Sequence, residues 1–287
     1  MYRIKELQTG EDLSGFSTWL GHQGVEHQIT RESGIQVLWL ADPEHTEPVL
    51  AALEQYMTRD EVRDQVNQAS RAPVRGGRWQ PAPRHSPLVF GVIVVSAIAA
   101  WLTGLGENVI SLMFMYVDPQ VHEWATLDQR LGALMETLAS GQFWRLISPD
   151  FLHFSVMHIV FNAVMLWFLA SQVEWMDGRG RFVALFLVTS LASNTLQYVV
   201  SGPLFGGLSG VVYGVLGYCW LSQQRLPRFQ FPPALVSFAL VWMIIGFTPL
   251  PVWLGIGRMA NEAHLGGFLG GLLMALIMPP PRRRQAA

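Results

Sequence analysis

Between residues 88 and 278 the chain carries six apolar segments, at about 88–105, 151–173, 182–200, 208–224, 233–249 and 260–278. Each is near the length that crosses a bilayer core of roughly 30 Å. Such a series constrains the fold more than any other feature, because backbone polar groups in hydrocarbon must be satisfied internally and helices do this within one segment. Composition agrees: 51% of the 287 residues are hydrophobic and only 14% are charged, a combination rare in soluble domains of this size. The single cysteine, Cys219, excludes a disulfide framework, and no Cys-x-x-Cys pair suggests a zinc or redox centre.

Arginines orient the segments. Arg71, Arg75, Arg78, Arg84, Arg179, Arg181, Arg225, Arg228, Arg282, Arg283 and Arg284 fall on one side; Arg130, Arg145 and Arg258 fall on the other. The positive-inside bias predicts that the first group and both termini are cytoplasmic. The first 85 or so residues hold no long apolar run, so no cleavable signal peptide is expected.

Residues 1–70 read as a small cytosolic α+β accessory domain with no catalytic constellation. Met1–Leu7 and Ile35–Leu40 have strand character, and His27–Arg31 can pair with the latter across Ser33-Gly34. Asp12–Gly21 and Thr46–Met57 space their apolar residues as helices do. Residues 71–87 form a linker stiffened by Pro73, Pro81, Pro83 and Pro87, whose arginines suit anionic headgroups. The membrane domain occupies 88–280, and 281–287 is a basic cytosolic tail. The connection 106–150 is too long for an idle link; its aromatic and apolar residues fit an interfacial element or an ordinary folded loop equally well.

Strongly polar residues inside spans are costly and usually face a protein interior or a wet cavity. The second segment carries Ser155, His158 and Asn162 on one predicted helical face. The fourth opens with Gly207-Leu208-Ser209-Gly210, with Tyr213 one turn below Ser209; the sixth holds Asn261, Glu262 and His264. Counted at about 1.5 Å per residue, Ser209 lies about 24 Å above Arg225, His158 about 24 Å above Glu174 and His264 about 22 Å above Pro279. Three segments thus bring their polar residues to one level near the outer surface. Gly210, Gly214 and Gly217, with Ala263, Gly267 and Gly271, make small-residue stripes that let membrane helices approach closely. Taken alone these stripes only pack helices, but close packing of the fourth and sixth would set His264 beside Ser209.

A serine hydroxyl becomes a good nucleophile when a base takes its proton during attack, and neutral histidine suits that role. Ser209 at a helix start has a backbone N–H without an intrahelical acceptor, at the positive end of the dipole. His158 and Asn162 can add donors to an oxyanion, each such donor contributing about 2.7–4 kcal/mol. No acidic residue within the spans matches His264 in depth and face, so a Ser209–His264 dyad is expected rather than a triad. Singly, each residue has an ordinary explanation: packing for Gly-x-Ser-Gly, a hydrogen-bonding strut for the histidine, helix–helix contact for Asn162, a core aromatic for Tyr213. The set at one depth points to chemistry.

The stretches Trp144-Arg145 through His153, His158 and Asn162, then Gly206-Gly207-Leu208-Ser209-Gly210-Val211-Val212-Tyr213, then Ala260-Asn261-Glu262-Ala263-His264-Leu265-Gly266-Gly267 resemble the rhomboid intramembrane serine proteases, bacterial GlpG type. The likeness covers about residues 85–280, and the amino-terminal domain resembles that subgroup's cytosolic domain. It implies an all-α polytopic membrane protein, a six-transmembrane-helix rhomboid bundle with a small N-terminal α+β cytosolic domain, in the bacterial inner membrane. It implies Ser209 as nucleophile, His264 as base, and His158, Asn162 and the Ser209 amide as oxyanion site. Tyr213 would stack on His264, with Gly207 and Gly210 supporting; Trp144-Arg145 would brace the long loop, and Glu174 matches a structural position. Partners would be transmembrane protein substrates and the lipid bilayer, cleavage falling beside a small residue near the outer face. No cofactor, metal or nucleic acid is expected.

A transporter or a client-binding scaffold is the competing class, since polar residues at membrane depth also line transport pathways; no internal repeat supports it. Asp118, Asp150 and Asp177 lie outside or at the edges of spans, which disfavours an aspartyl protease. The chain lacks His-Glu-x-x-His, and His153 and His158 sit on poorly matched faces for zinc.

Overall fold

A computed structural model describes residues 1–8, 11–32, 34–71, 82–225, 228–254 and 259–278. The chain divides into two compact units, the first within residues 1–79 and the second within 80–280. Most of the expected linker, the Ser33 side of the first hairpin, Arg258 and the basic tail lie outside the described residues.

In the first unit, β1 (Tyr2–Gln8), β2 (His27–Glu32) and β3 (Ile35–Leu40) form one sheet. The sheet order is β1-β3-β2, with both pairings antiparallel. β2 and β3 pair in the register Glu32↔Ile35 to His27↔Leu40, which leaves two residues for the turn; Gly34 takes φ +86° there, the left-handed backbone that short hairpins require. Helices α1 (Ser14–His22), α2 (Thr46–Thr58) and α3 (Asp60–Arg71) supply the remaining structure. Phe16, Leu20, Leu38, Leu40, Leu53, Tyr56 and Val66 form its core. The helix over 60–71 was not anticipated from the sequence: its apolar positions are sparse, and its place is earned by Val66 packing into that core.

In the second unit each apolar segment contains a helix: α4 (Pro87–Leu102), then, after α5 (Leu127–Ala139) in the long connection, α6 (Val156–Asp177), α7 (Arg179–Ser201), α8 (Ser209–Arg225), α9 (Pro233–Gly246), the single turn α10 (Leu250–Trp253), and α11 (Asn261–Ile277). By length and composition, two described helices, α6 and α7, suffice to cross a membrane. Two of the others run shorter than the sequence suggests, at 16 residues for α4 and 14 for α9. The α4 helix ends where Gly104, Leu105 and Gly106 adopt positive φ, and α9 stops shortly before Pro249 and Pro251. The second segment also starts later than expected. Ser155 is not part of the helical face but its N-cap, with extended backbone and Oγ accepting the His158 N–H at 3.1 Å; serine caps a helix better than it extends one.

The core of this unit is built from Leu166, Leu169, Leu185, Val211, Val215 and Tyr218, all fully buried. The helix faces turned away from it stay apolar: Phe90, Val95 and Trp101 on α4, and Phe238, Val241 and Ile244 on α9, are exposed. Glu174 fixes the start of α4, its carboxylate accepting the Leu88 and Val89 N–H groups at 3.1 and 2.9 Å. These donors have no intrahelical acceptor, and the helix dipole favours the negative charge. The connection 106–150 is folded: Arg145 is buried and donates to the Leu112 and Met115 carbonyls at 2.6 and 2.8 Å, and Trp144 donates to Met113 O at 3.3 Å. Exposed Val109, Met113, Val121 and Met135 show that it also keeps an apolar outer surface.

α8 and α11 touch backbone to backbone. A methyl group on Gly267 would lie 1.9 Å from Gly210 O, and one on Gly271 would lie 1.8 Å from Gly214 O. Neither carbonyl can move without breaking its helix. Replacement of Gly271 by valine should therefore destabilise the second unit by more than the roughly 1–3 kcal/mol typical of overpacking, seen as a lower unfolding midpoint in detergent, while Gly180→Ala, where open space surrounds the site, should leave it nearly unchanged.

Candidate active site

The glycine contact decides where the first turns of α8 and α11 meet. Ser209 is the first residue of α8 and His264 lies in the first turn of α11. His264 Nε2 and Ser209 Oγ are 2.9 Å apart, a hydrogen bond across 55 residues of sequence. With the hydroxyl donating to Nε2, the Nδ1 atom carries the ring proton; Nδ1 is buried and has no hydrogen-bond partner among the described residues. The ring is oriented by stacking. Tyr213 lies against it at 4.5 Å between centroids and 23° between planes, and Tyr213 is itself held by its hydroxyl, which donates to Ala239 O on α9 at 2.9 Å.

Gly210 permits this approach from below. A methyl group there would lie 2.6 Å from the Ser193 side chain and 3.3 Å from Ala263 O, so α7 and α11 both close on the start of α8. Gln197 on α7 accepts the Ala263 N–H at 3.0 Å, satisfying one of the unpaired donors of the first turn of α11.

The second cluster converges on Gly207, two residues before Ser209. Gly207 has φ +116°, and a methyl group on it would lie 2.6 Å from the His158 ring and 3.4 Å from Asn162 Nδ2. Asn162 is buried, and its Nδ2 lies 3.3 Å from His153 Nε2. His153 Nδ1 contacts Phe151 O at 3.2 Å, which makes Nδ1 the donor and leaves Nε2 to accept from Asn162. One amide hydrogen of Asn162 is then anchored while the second remains for another acceptor. The His153 and His158 rings lie 4.9 Å apart. The Gly207 N–H donates to Pro149 O at 2.9 Å, fixing the segment that leads into Ser209.

The structure brings Ser209, His264, Tyr213 and Gly210 into one contact set and His158, Asn162 and Gly207 into a neighbouring one, with Ser209 as the link. Sequence reading missed the part played by α7. Thr189, Ser190, Ser193, Asn194 and Gln197 are all buried on this helix. The signal was present as polar residues at helical spacing in an apolar segment, but nothing local told which helix they face. Glu262, two residues from His264, is partly exposed. Among the described residues no group of histidines, cysteines and acids could hold a metal ion.

Two family models match this chain: the rhomboid domain over residues 140–281 and the rhomboid N-terminal domain over residues 1–65. The chain is similar to curated proteins named Rhomboid protease GlpG. It is 32% identical over 279 residues to that of Serratia proteamaculans, covering 96% of each chain. It is 33% identical to that of Yersinia enterocolitica and 34% identical to that of Yersinia pestis, each over 284 residues and 96% of both chains.

Because Gly207 combines a left-handed backbone with contact to His158, its replacement by alanine is expected to lower the rate of substrate cleavage by at least about 10-fold, in the range of a displaced catalytic group. Thermal unfolding in detergent should also fall, because alanine is strained at that backbone angle, and wild-type turnover in a folded Gly207→Ala protein would contradict the expectation.

Proposed function

The chain belongs to the rhomboid family and is a serine intramembrane protease, and on that premise we propose that Ser209 and His264 carry out the cleavage as a dyad on transmembrane substrate proteins. The observation that carries this reading is the 2.9 Å contact between Ser209 Oγ and His264 Nε2, with Tyr213 stacked on the imidazole.

In the proposed reaction the Ser209 oxygen forms a bond to the scissile carbonyl carbon while its proton passes to His264 Nε2. The carbonyl π electrons move onto oxygen, giving a tetrahedral oxyanion. The Ser209 N–H, the second amide hydrogen of Asn162 and the His158 ring donate to that oxygen; preformed donors of this kind commonly supply about 2.7–4 kcal/mol each. The imidazolium then returns its proton to the leaving amine nitrogen as the C–N bond breaks. Water then attacks the acyl carbon, again giving its proton to His264, and the acyl carbon–Ser209 oxygen bond breaks as His264 returns that proton to Oγ, releasing the new carboxyl terminus. With no carboxylate on Nδ1, the face of Tyr213 is the group that steadies the charged ring, an attraction worth about 0.5–2 kcal/mol. Gly207 and Gly210 admit the donors and the neighbouring helices.

The membrane setting follows the same reading. α4, α6, α7, α8, α9 and α11 are taken as the six spans, the shorter ones aided by apolar residues flanking their ends; the apolar outer faces of α4 and α9 support this. Arg179, Arg181, Arg225 and Arg228 cluster at one end of the helices and Ser209 and His264 at the other. This supports a bacterial inner-membrane protein with both termini cytoplasmic, the site opening to the periplasm and cleavage near the outer face. Residues 1–70 are read as a cytosolic accessory domain, 71–87 as its linker, 88–280 as the protease domain and 281–287 as a basic tail. No metal, cofactor or nucleic acid enters the scheme.

Purified protein in detergent with a model transmembrane substrate tests the dyad. Ser209→Ala and His264→Ala should each reduce kcat by at least about 10³-fold, the scale of losing a member of a serine–histidine pair, while remaining folded. A serine-directed phosphonate should label wild type and not Ser209→Ala. Full cleavage by Ser209→Ala would end this reading; client capture without cleavage would favour a scaffold, and substrate flux in liposomes indifferent to Ser209 a transporter.

A further inference from the structure

Asp150 is a buried acid that the proposed chemistry does not use. It lies in the 3-10 turn Ser148–Phe151, before α6, and is fully buried. Its hydrogen-bonding side-chain partners are neutral: Ser190 Oγ donates to Oδ2, and Asn194 Nδ2 donates to Oδ1 at 3.0 Å. A carboxyl group buried among neutral donors is expensive, so its retention needs a compensating role.

The neighbours of Asp150 suggest that role. Asn194 also donates to Leu146 O at 3.1 Å, so α7 grips the chain both at Asp150 and just before the turn. Adjacent to Asp150, the Pro149 carbonyl accepts the Gly207 N–H at 2.9 Å and would lie 3.1 Å from a methyl group on Gly206. Three residues on, His153 anchors the Asn162 amide. The turn therefore supports two parts of the second cluster at once, the segment leading to the Ser209 N–H and the side chain of Asn162. Ser190 O in turn accepts from Ser193 Oγ, and Ser193 packs on Gly210.

We propose that Asp150 is a positioning residue for oxyanion stabilisation: by tying the Ser148–Phe151 turn to Ser190 and Asn194 of α7, it fixes the Pro149 carbonyl and through it the segment from Gly207 to Ser209. This rests on the reading of Ser209 as nucleophile with His158, Asn162 and its own amide as oxyanion donors. Asp150 touches neither substrate nor the reacting atoms. Its effect should fall on the rate of the chemical step and not on substrate binding, because the contacts it governs strengthen as charge develops on the carbonyl oxygen.

The test compares Asp150→Leu, Asp150→Asn, the double variant Ser190→Ala/Asn194→Ala and Ser209→Ala, all full-length in detergent, by kcat and KM for a transmembrane substrate and by thermal unfolding. Asp150→Leu should lower kcat about 10- to 100-fold with KM within about threefold of wild type, the size expected of a small displacement at the reacting centre. Asp150→Asn should recover most of that loss, because its amide can accept from Asn194 and donate to Ser190. Near wild-type kcat in folded Asp150→Leu, a loss carried by KM, or no recovery by asparagine would overturn the proposal. If the leucine variant does not fold, the double variant decides: a lowered kcat with unchanged KM supports the assignment, and an unchanged kcat overturns it. Failure of both to fold also overturns it, since the cluster would then serve stability alone. An inactive Ser209→Ala beside a fully active Asp150→Leu removes only this proposal, whereas an active Ser209→Ala removes the nucleophile reading itself.

Discussion

The contact of α8 with α11 through bare backbone is the constraint on which the rest of the membrane unit depends. Gly210 and Gly214 on one helix meet Gly267 and Gly271 on the other so closely that no side chain fits between them. Helices in lipid gain little from hiding apolar surface, because the tails around them are equally apolar. Close packing and backbone proximity must supply the attraction instead. The same closeness carries a chemical result: with the axes held this near, side chains at the two helix starts reach one another, and the Ser209–His264 hydrogen bond forms with Tyr213 orienting the ring. α7 completes the arrangement, lying against Gly210 through Ser193, against Gly214 through Thr189 and against Gly266 through the Ala192 carbonyl.

Several buried polar groups of this unit join elements distant in sequence. Glu174 ends α6 and caps α4. Gln172 exchanges two hydrogen bonds with the backbone of Gln230, and Asp177 receives Arg228 through two contacts at 3.0 and 2.8 Å, so the segment entering α9 is pinned to α6. Arg145 gathers carbonyls of the long connection. In a low-dielectric interior each such bond, once made, is costly to lose, which makes these side chains strong determinants of connectivity. Against that background the exceptions stand out. Four buried side-chain atoms have no hydrogen-bond partner among the described residues: His264 Nδ1 and Asn162 Oδ1 in the cluster around Ser209, Asn261 Oδ1 at the start of α11, and Arg228 Nη1 at the opposite end of the helices. A site that must receive another molecule's polar atoms is expected to retain groups such as the first two.

The helical character, the small amino-terminal sheet and the family were readable from the residues because each rests on a local pattern. β2 and β3 follow from the apolar run of Ile35–Leu40 and a short turn before it, and the six helices follow from longer apolar runs. Helix ends were less readable. Ser155 counts as one more polar residue on a helical face until its extended backbone shows it to be the cap. The helix over 60–71 has too few apolar residues to announce itself, and depends on partners elsewhere in its unit. Single-pass hydropathy also could not foresee that α4 and α9 would be as short as 16 and 14 residues, since the glycines and prolines that stop them act through backbone angles and not through polarity.

For the cluster around Ser209, residue types and spacing along the chain selected Ser209, His264, His158, Asn162, Tyr213, Gly207 and Gly210, because chemistry and helix period are local properties written in order. Partnership between helices was not available from that order. That Asn162 is oriented by His153, that Tyr213 leans on Ala239, and that Asp150 bonds to Ser190 and Asn194 across 40 and 44 residues are matters of how helices rotate and slide against each other. Those two freedoms are set by side-chain packing summed over every neighbour, and no single stretch of chain contains them.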